Sequence, residues 1–245
     1  MPANQSTNEH NVVNLGELIS NISTFKAKYS PTRSEFIIES LRLLKEKSEA
    51  ANEAVTDAEI TLQSSQTARS SGFIGFDPLI TRVINALRIS GASAQSIAQA
   101  EAIVRDLRGK RASAIASDED VAAAKEKGTA INQITRHINT FESKYSNFLI
   151  LIIFLGTIPV YKPNEEDLSV TSLNARYISM KNADEQCSEA QVAIDAARAN
   201  RDKVLYAEGT GMVDIALGVK TYVKSAFGAS SNEYMAISSI AFIKR

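Results

Sequence analysis

The sequence predicts an all-α protein, an elongated antiparallel bundle of long helices with internal duplication. Three observations predict it: two long stretches free of helix breakers, heptad seams running along them, and a self-match spanning most of the chain. Neither proline nor glycine occurs between Pro31 and Gly72 or between Pro163 and Gly209. Each stretch is long enough for a single helix of roughly 55–65 Å at 1.5 Å per residue, where an average helix has about 11–12 residues.

Pro31-Thr-Arg-Ser-Glu and Pro163-Asn-Glu-Glu-Asp fit helix starts, with proline in the first turn and carboxylates near the positive end of the dipole. The first seam is Ile37, Leu41, Leu44, Ser48, Ala51, Val55, Ala58 and Leu62. Its steps alternate between four and three residues, and its small central members let neighbouring helices approach. A second seam runs Ile131, Ile134, Ile138, Phe141, Tyr145, Phe148, Ile152 and Leu155, and a third Leu173, Tyr177, Met180, Ala183, Cys187, Ala190, Ile194 and Ala197. Between them lie shorter apolar helices, Phe73–Ile89 and Met212–Phe227, ended by Gly91-Ala-Ser and Gly228-Ala-Ser, glycine being suited to a left-handed cap. A helix from Ala94 to Arg108 and a brief one around Asn232–Ala236 follow them, and Ile237–Arg245 is apolar but too short to classify.

The self-match pairs Tyr29-x-Pro31 with Tyr161-x-Pro163, an offset of 161 − 29 = 132. At that offset Leu18 meets Ile150, Ile22 meets Phe154, Leu41 meets Leu173, and Ala51, Ala58 and Arg69 meet Ala183, Ala190 and Arg201. Past the long helices the offset becomes 228 − 91 = 137, the added residues falling in the loop Tyr206–Gly211. A common register over such a span marks an internal repeat. The expected organisation is a disordered polar tail over 1–11, a first helical repeat over 12–116, a connection over 117–128 containing Asp118, Glu119 and Asp120, and a second repeat over 129–245.

The segments Val204-Leu-Tyr, Thr210-Gly-Met-Val-Asp-Ile-Ala, Val219-Lys-Thr-Tyr-Val-Lys-Ser-Ala-Phe-Gly-Ala-Ser-Ser-Asn-Glu-Tyr, Pro159…Tyr161-x-Pro163-Asn-Glu and Val104-Arg-x-Leu-Arg-Gly-Lys-Arg-Ala carry a resemblance. They look like motifs of a family of uncharacterised proteins associated with Bacteroidetes, and the likeness covers nearly the whole chain. It implies a duplicated helical fold and no particular activity. The chain departs from the family at Phe148–Leu155, solidly apolar here where the family has an amphipathic helix.

Composition excludes more than it identifies. The 245 residues are 44% hydrophobic and 22% charged, with a net charge of −1, so no global field draws the chain to nucleic acid. One cysteine, Cys187, and two histidines, His10 and His137, are thin material for thiolate metal sites or acid–base work. No cofactor is expected. MPANQSTNEHN lacks the basic and apolar regions of a secretory signal, which makes a cytoplasmic location the expectation, with non-classical export left open.

Two features stand out as candidate sites. Phe148-Leu-Ile-Leu-Ile-Ile-Phe-Leu155 is apolar on every side, where a helix buried on one face needs only a stripe. Even extended to Val160 it falls short of the about 20 residues that span a bilayer. Three readings fit it: a central helix enclosed by its own bundle, a subunit contact, or a membrane-inserting tongue of the pore-forming-toxin kind. As an interface it would present Phe148, Leu149, Ile150, Leu151, Ile153 and Phe154. The second feature is the basic cluster Arg105, Arg108, Lys110 and Arg111. It lacks the interleaved aromatics of a nucleic-acid site, and cations at a helix end also complement the dipole.

Gly209-Thr-Gly211 lacks the lysine and hydroxyl of a phosphate loop, and no Glu-x-x-His pair of the dimetal bundles occurs. The sequence therefore predicts a non-enzymatic structural protein that self-associates into an ordered assembly such as a filament or tube, its partner a second copy. A membrane-active helical protein and an adaptor for another protein are the alternatives.

Overall fold

The computed structural model describes residues 3–109 and 140–244. The protein is all-α, with no strand among these residues. The helices are α1 (Ala3–Ser23), α2 (Ile38–Ser71), α3 (Phe76–Ile89), α4 (Ala94–Leu107), α5 (Phe141–Gly156), α6 (Val170–Tyr206), α7 (Met212–Phe227) and α8 (Asn232–Ser238). Two long helices of 34 and 37 residues, α2 and α6, fill the breaker-free stretches.

Local chemistry sets the ends. The hydroxyl oxygens of Ser93, Thr140 and Ser231 accept the amides of Ser96, Ser143 and Tyr234, satisfying donors that the first turns of α4, α5 and α8 leave open. Gly228 closes α7 at a φ of 93°, a left-handed value that favours glycine.

The chain divides into two compact units, 1–63 with 189–245 and 64–188. Both long helices are therefore shared, and the units interleave in sequence instead of following the expected division at 117–128. That expected connection, with Ile131, Ile134, His137 and Ile138, lies outside the described residues.

In the first unit α7 packs against α8, α1 and the 3-10 turn Ser34–Phe36. Its core holds Leu15, Leu18 and Ile22 of α1, Leu41 of α2, Leu205 of α6, Val219 and Val223 of α7, and Ile237 and Ile240. In the second unit α4 packs on α5 and α3, and α3 on the 3-10 turn Glu166–Leu168. Its core gathers Phe76, Ile80, Val83 and Leu87 of α3, Val104 and Leu107 of α4, Phe148, Leu151 and Leu155 of α5, and Leu173 and Met180 of α6.

Three expectations need correction. First, Pro31 and Pro163 do not open the long helices. A 3-10 turn follows each, Ile37 and Ser169 are extended, and α2 and α6 start only at Ile38 and Val170. The cause is a buried hydrogen bond made twice. Tyr29 donates its hydroxyl to the Phe36 carbonyl at 2.7 Å, and Tyr161 donates to that of Leu168 at 2.9 Å. Each phenol claims a carbonyl that a helix would otherwise use, and Phe36 and Leu168 turn into the core. The two devices are 132 residues apart, the offset of the self-match.

Second, residues 3–11 are not a loose tail. They form the first turns of α1, and Asn8 and Asn11 are fully buried. Asn11, read as solvated, pairs with the main chain of Ile243, and Asn8 accepts the Tyr206 hydroxyl. Third, burial does not follow the pairing of Leu18 with Ile150 and of Ile22 with Phe154, since Ile150 is exposed and Phe154 half-buried. Burial matches Leu15, Leu18, Ile19 and Ile22 with Phe148, Leu151, Ile152 and Leu155, an offset of 148 − 15 = 133.

The tyrosine device gives a test. Tyr29→Phe or Tyr161→Phe leaves a buried carbonyl without its donor and should cost about 1–3 kcal/mol in urea unfolding. Tyr222→Phe, which loses only an exposed 3.3 Å bond from the Ser30 amide, should cost under about 0.5 kcal/mol. Burial raises Tyr29, and burial followed by the charges of Asp167 and Glu165 pushes Tyr161 up to about 12. The folded state thus keeps both phenols neutral where an unfolded tyrosine, at about 10, ionises. Their contribution is complete below pH ~10 and is lost as pH rises from there towards ~12. Tyrosinate absorbance in an alkaline titration should show a class that ionises only as helicity is lost.

Candidate functional site

The run Phe148–Leu155 of α5 is only partly covered by the packing of the second unit. Thr140 caps the helix, and the core-facing stripe Phe148, Leu151, Ile152 and Leu155 is buried. Phe148 meets Phe76 of α3 edge-on, ring centroids 5.0 Å apart at 90°. Of the six residues expected to form an interface, Phe148 and Leu151 are thus core residues, fully enclosed within their own chain. Leu149 and Phe154 are half-buried. Ile150 and Ile153 stand outward, 52% and 60% exposed.

The corrected register gives that exposure its meaning. At the offset of 133, Ile150 and Ile153 correspond to Glu17 and Ser20 of α1, both exposed. At that spacing α1 and α5 each bury four positions, while on the outward side α1 exposes Val13, Glu17 and Ser20 and α5 exposes Ser146, Ile150 and Ile153. Ile150 and Ile153 take no part in the core of the second unit.

The basic cluster is only partly described, Lys110 and Arg111 lying outside the described residues. Arg105 is exposed. Arg108 ties the end of α4 back to α3: its Nη2 donates to Thr81 Oγ1 at 2.7 Å and to the Asp77 carbonyl at 3.3 Å, with Nε 3.7 Å from the Asp77 carboxylate. Arg105, Arg108 and Arg88 line a groove of about 230 Å³ between α3 and α4. Arg88 is itself committed there, to Glu101 at 2.6 Å. Two of the three guanidiniums are consumed by the fold, and the groove offers one free cation among the described residues.

A wider depression of about 510 Å³ is lined by Arg69, Phe141, Lys144 and Asp184, among others. Asp184 pairs with Arg69 at 3.2 Å and accepts the Tyr145 hydroxyl at 3.4 Å. Burial, then the Asp184 charge, raises the Tyr145 phenol. Arg69 also stacks on Phe141, 4.6 Å from the ring centre. These groups link α2, α5 and α6 within the second unit, and the buried Arg69 Nε is left without an acceptor among the described residues.

Cys187 is free and buried, behaving as a small apolar residue of the α6 seam. His10 is exposed on α1. Asp214 accepts the Gly209 amide at 2.9 Å, so Gly209-Thr-Gly211 is a helix-start loop. Among the described residues, no group of three or more histidine, cysteine or carboxylate side chains could hold a metal ion, and no helix is long and apolar enough to cross a membrane.

No known family model matches the chain. No curated protein and no solved structure compared with it matches either. The functional reading therefore rests on this molecule's own surface.

What sequence reasoning missed is the asparagine face of α1, because Asn8 and Asn11 fall in the stretch expected to be a polar tail and Asn14 lies just beyond it. Their three-residue spacing on one helix face was the available signal. The arginines can be separated by substitution. Arg108→Ala should cost about 1 kcal/mol in chemical unfolding through its lost hydrogen bonds, whereas Arg105→Ala should change stability by less than about 0.5 kcal/mol.

Proposed function

We propose that the protein is a non-enzymatic structural component that self-associates into an ordered assembly through the outer face of α5. The observation that carries this reading is the pair Ile150 and Ile153, exposed on α5 where α1 presents Glu17 and Ser20. Exposed apolar side chains set on a rigid helix are the material of protein–protein contacts. A chain built from two matching halves presents similar but unequal surfaces. Contacts between unlike surfaces run head to tail, and close as rings or continue as filaments.

The membrane-active alternative draws on the same run at greater cost. A tongue entering a bilayer would have to draw Phe148, Leu151 and Leu155 out of the core of the second unit. Each such side chain contributes about 1.5–3 kcal/mol by its burial, whereas a protein–protein contact uses Ile150 and Ile153 as they stand. An adaptor for a different protein would use this face as well, and mixing experiments with the purified chain separate it from self-association.

Ile150→Glu/Ile153→Glu should convert the purified protein to monomers in size exclusion with light scattering, with unfolding free energy shifted by no more than about 0.5 kcal/mol per substitution. Phe148→Ala should instead cost about 3–5 kcal/mol as a core cavity. An unchanged mass distribution for the glutamate variant, or a parent protein that stays monomeric at high concentration, would remove the proposal.

A further inference from the structure

The last residues of the described chain, Ile240–Lys244, carry no regular structure and lie against α1 and α7 of the first unit. Their backbone is held by side chains. Asn11 grips Ile243 from both sides: its Nδ2 donates to the Ile243 carbonyl, and its Oδ1 accepts the Ile243 amide, each at 3.0 Å. Asn14 Nδ2 donates to the Ala241 carbonyl at 2.6 Å. From α7, Lys220 Nζ donates to the Ser238 and Ile240 carbonyls at 3.1 and 2.6 Å. Ile240 is buried, and Phe242 packs on the same core. Lys244 reaches Asp214 at 2.6 Å; that bond, with the Gly209 amide, holds the Asp214 carboxyl below its usual range.

These bonds form a ladder. Its rungs step three residues along α1, from Asn14 to Asn11, while the segment advances two residues, from Ala241 to Ile243. Asn8 is the next position on the same face. It is fully buried, and its Oδ1 accepts the Tyr206 hydroxyl at 2.6 Å. Its Nδ2 has no acceptor among the described residues. A buried amide donor left open is costly, and here it continues a row whose other members all bind main chain.

Amides that pair with both the N–H and C=O of one residue recognise an extended backbone whatever its side chains, as an added strand does. Specificity is left to the two apolar anchors. We propose that the face between α1 and α7 is a main-chain-reading acceptor for an extended peptide, filled within one molecule by its own Ile240–Lys244 and between molecules by the same segment of a second copy. The occupant is fixed by fit, because the segment seated there in one molecule is identical in the next. Exchange makes no new contact and breaks none, which is why swapping an identical element is a low-cost route to association. This inference rests on the self-association reading, but uses a different surface from α5.

Two full-length variants test it. Asn11→Ala/Asn14→Ala keeps the segment and loses the acceptor; Ile240→Asp/Ile243→Pro keeps the acceptor and loses the segment. Both are placed on the Ile150→Glu/Ile153→Glu background, which silences the α5 face. Each alone should be monomeric at about 100 µM, and an equimolar mixture should give a 1:1 complex in light scattering. Two folded monomers that stay apart on mixing, with helicity intact by circular dichroism, overturn exchange. If the glutamate pair still abolishes assembly of the parent, the α5 reading survives that failure.

Should either variant fail to fold, the wild-type chain is titrated with a fluorescent peptide, Ser-Ser-Ile-Ala-Phe-Ile-Lys-Arg. The resident segment competes at an effective concentration of about 1 mM, so a weak but saturable anisotropy rise is expected. It should vanish when the peptide nitrogen equivalent to Ile243 is methylated. No saturable rise up to several times that concentration, or binding indifferent to the methylation, overturns the acceptor itself.

Discussion

The architecture depends on one interaction made twice, a buried phenol donating to a carbonyl seven residues ahead. Tyr29 with Phe36 and Tyr161 with Leu168 hold short turns against the start of each long helix. The turn rotates Phe36 and Leu168 inward and delays the helix to Ile38 or Val170. That starting point fixes which stripe of a helix of more than thirty residues faces the core, because every later side chain inherits its angle from the first turn. The surroundings are cut to fit. A Cβ added to Gly218 of α7 would lie 2.6 Å from the Phe36 ring, so a bare backbone at that position lets the ring seat.

From that start the long helices bury little. In the first unit the inward positions of α2 beyond Leu41 are Ser48, Ala51 and Val55, and those of α6 include Ala190 and Ile194. Ser48 satisfies itself by donating to the Leu44 carbonyl at 2.7 Å, which lets a polar residue sit in a seam of small side chains. Glu59 and Arg198 pair at 3.0 Å beside it, an exposed contact of small worth. The large side chains are concentrated in two clusters, around Val219 in one unit and Phe148 in the other. Apolar burial scales with area, so stability resides mainly in these clusters and the seams chiefly set register.

This distribution explains what the sequence could reveal. The shorter helices α3, α4 and α7 are legible because a full apolar stripe repeats along each and glycine or serine marks their ends. The extents of α2 and α6 follow from missing breakers. Their starts are not legible, since Pro31 and Pro163 look like first-turn prolines until the tyrosine hydroxyl seven residues before the core residue is placed. The one-residue change of register between α1 and α5 is equally hidden: the tyrosine and proline motifs match at 132, and only burial reveals 133. The asparagines of α1 mislead for a plainer reason. Hydropathy cannot tell an amide solvated by water from one satisfied by a distant backbone, and the acceptors of Asn11 and Asn14 lie more than two hundred residues away.

The same register shows how one helical position serves two purposes. At the offset of 133, Asn8, Asn11 and Asn14 correspond to Phe141, Lys144 and Asn147. On α1, Asn11 and Asn14 hold the main chain of Ile243 and Ala241. On α5, Phe141 packs against Phe73 with centroids 5.0 Å apart, and Lys144 lies over the same ring. On the outward side the polarity reverses, Glu17 and Ser20 against Ile150 and Ile153. α1 thus sets amides against Ala241 and Ile243 and exposes Val13, Glu17 and Ser20, whereas α5 sets Phe141 against Phe73 and exposes Ser146, Ile150 and Ile153. Core packing demands neither choice, because the four buried positions are equivalent in both. An assembly built of two different contacts, a backbone-reading groove on α1 and an apolar face on α5, would need this kind of asymmetry: two like faces would favour a closed pair, whereas two unlike ones let each molecule bind a neighbour on either side.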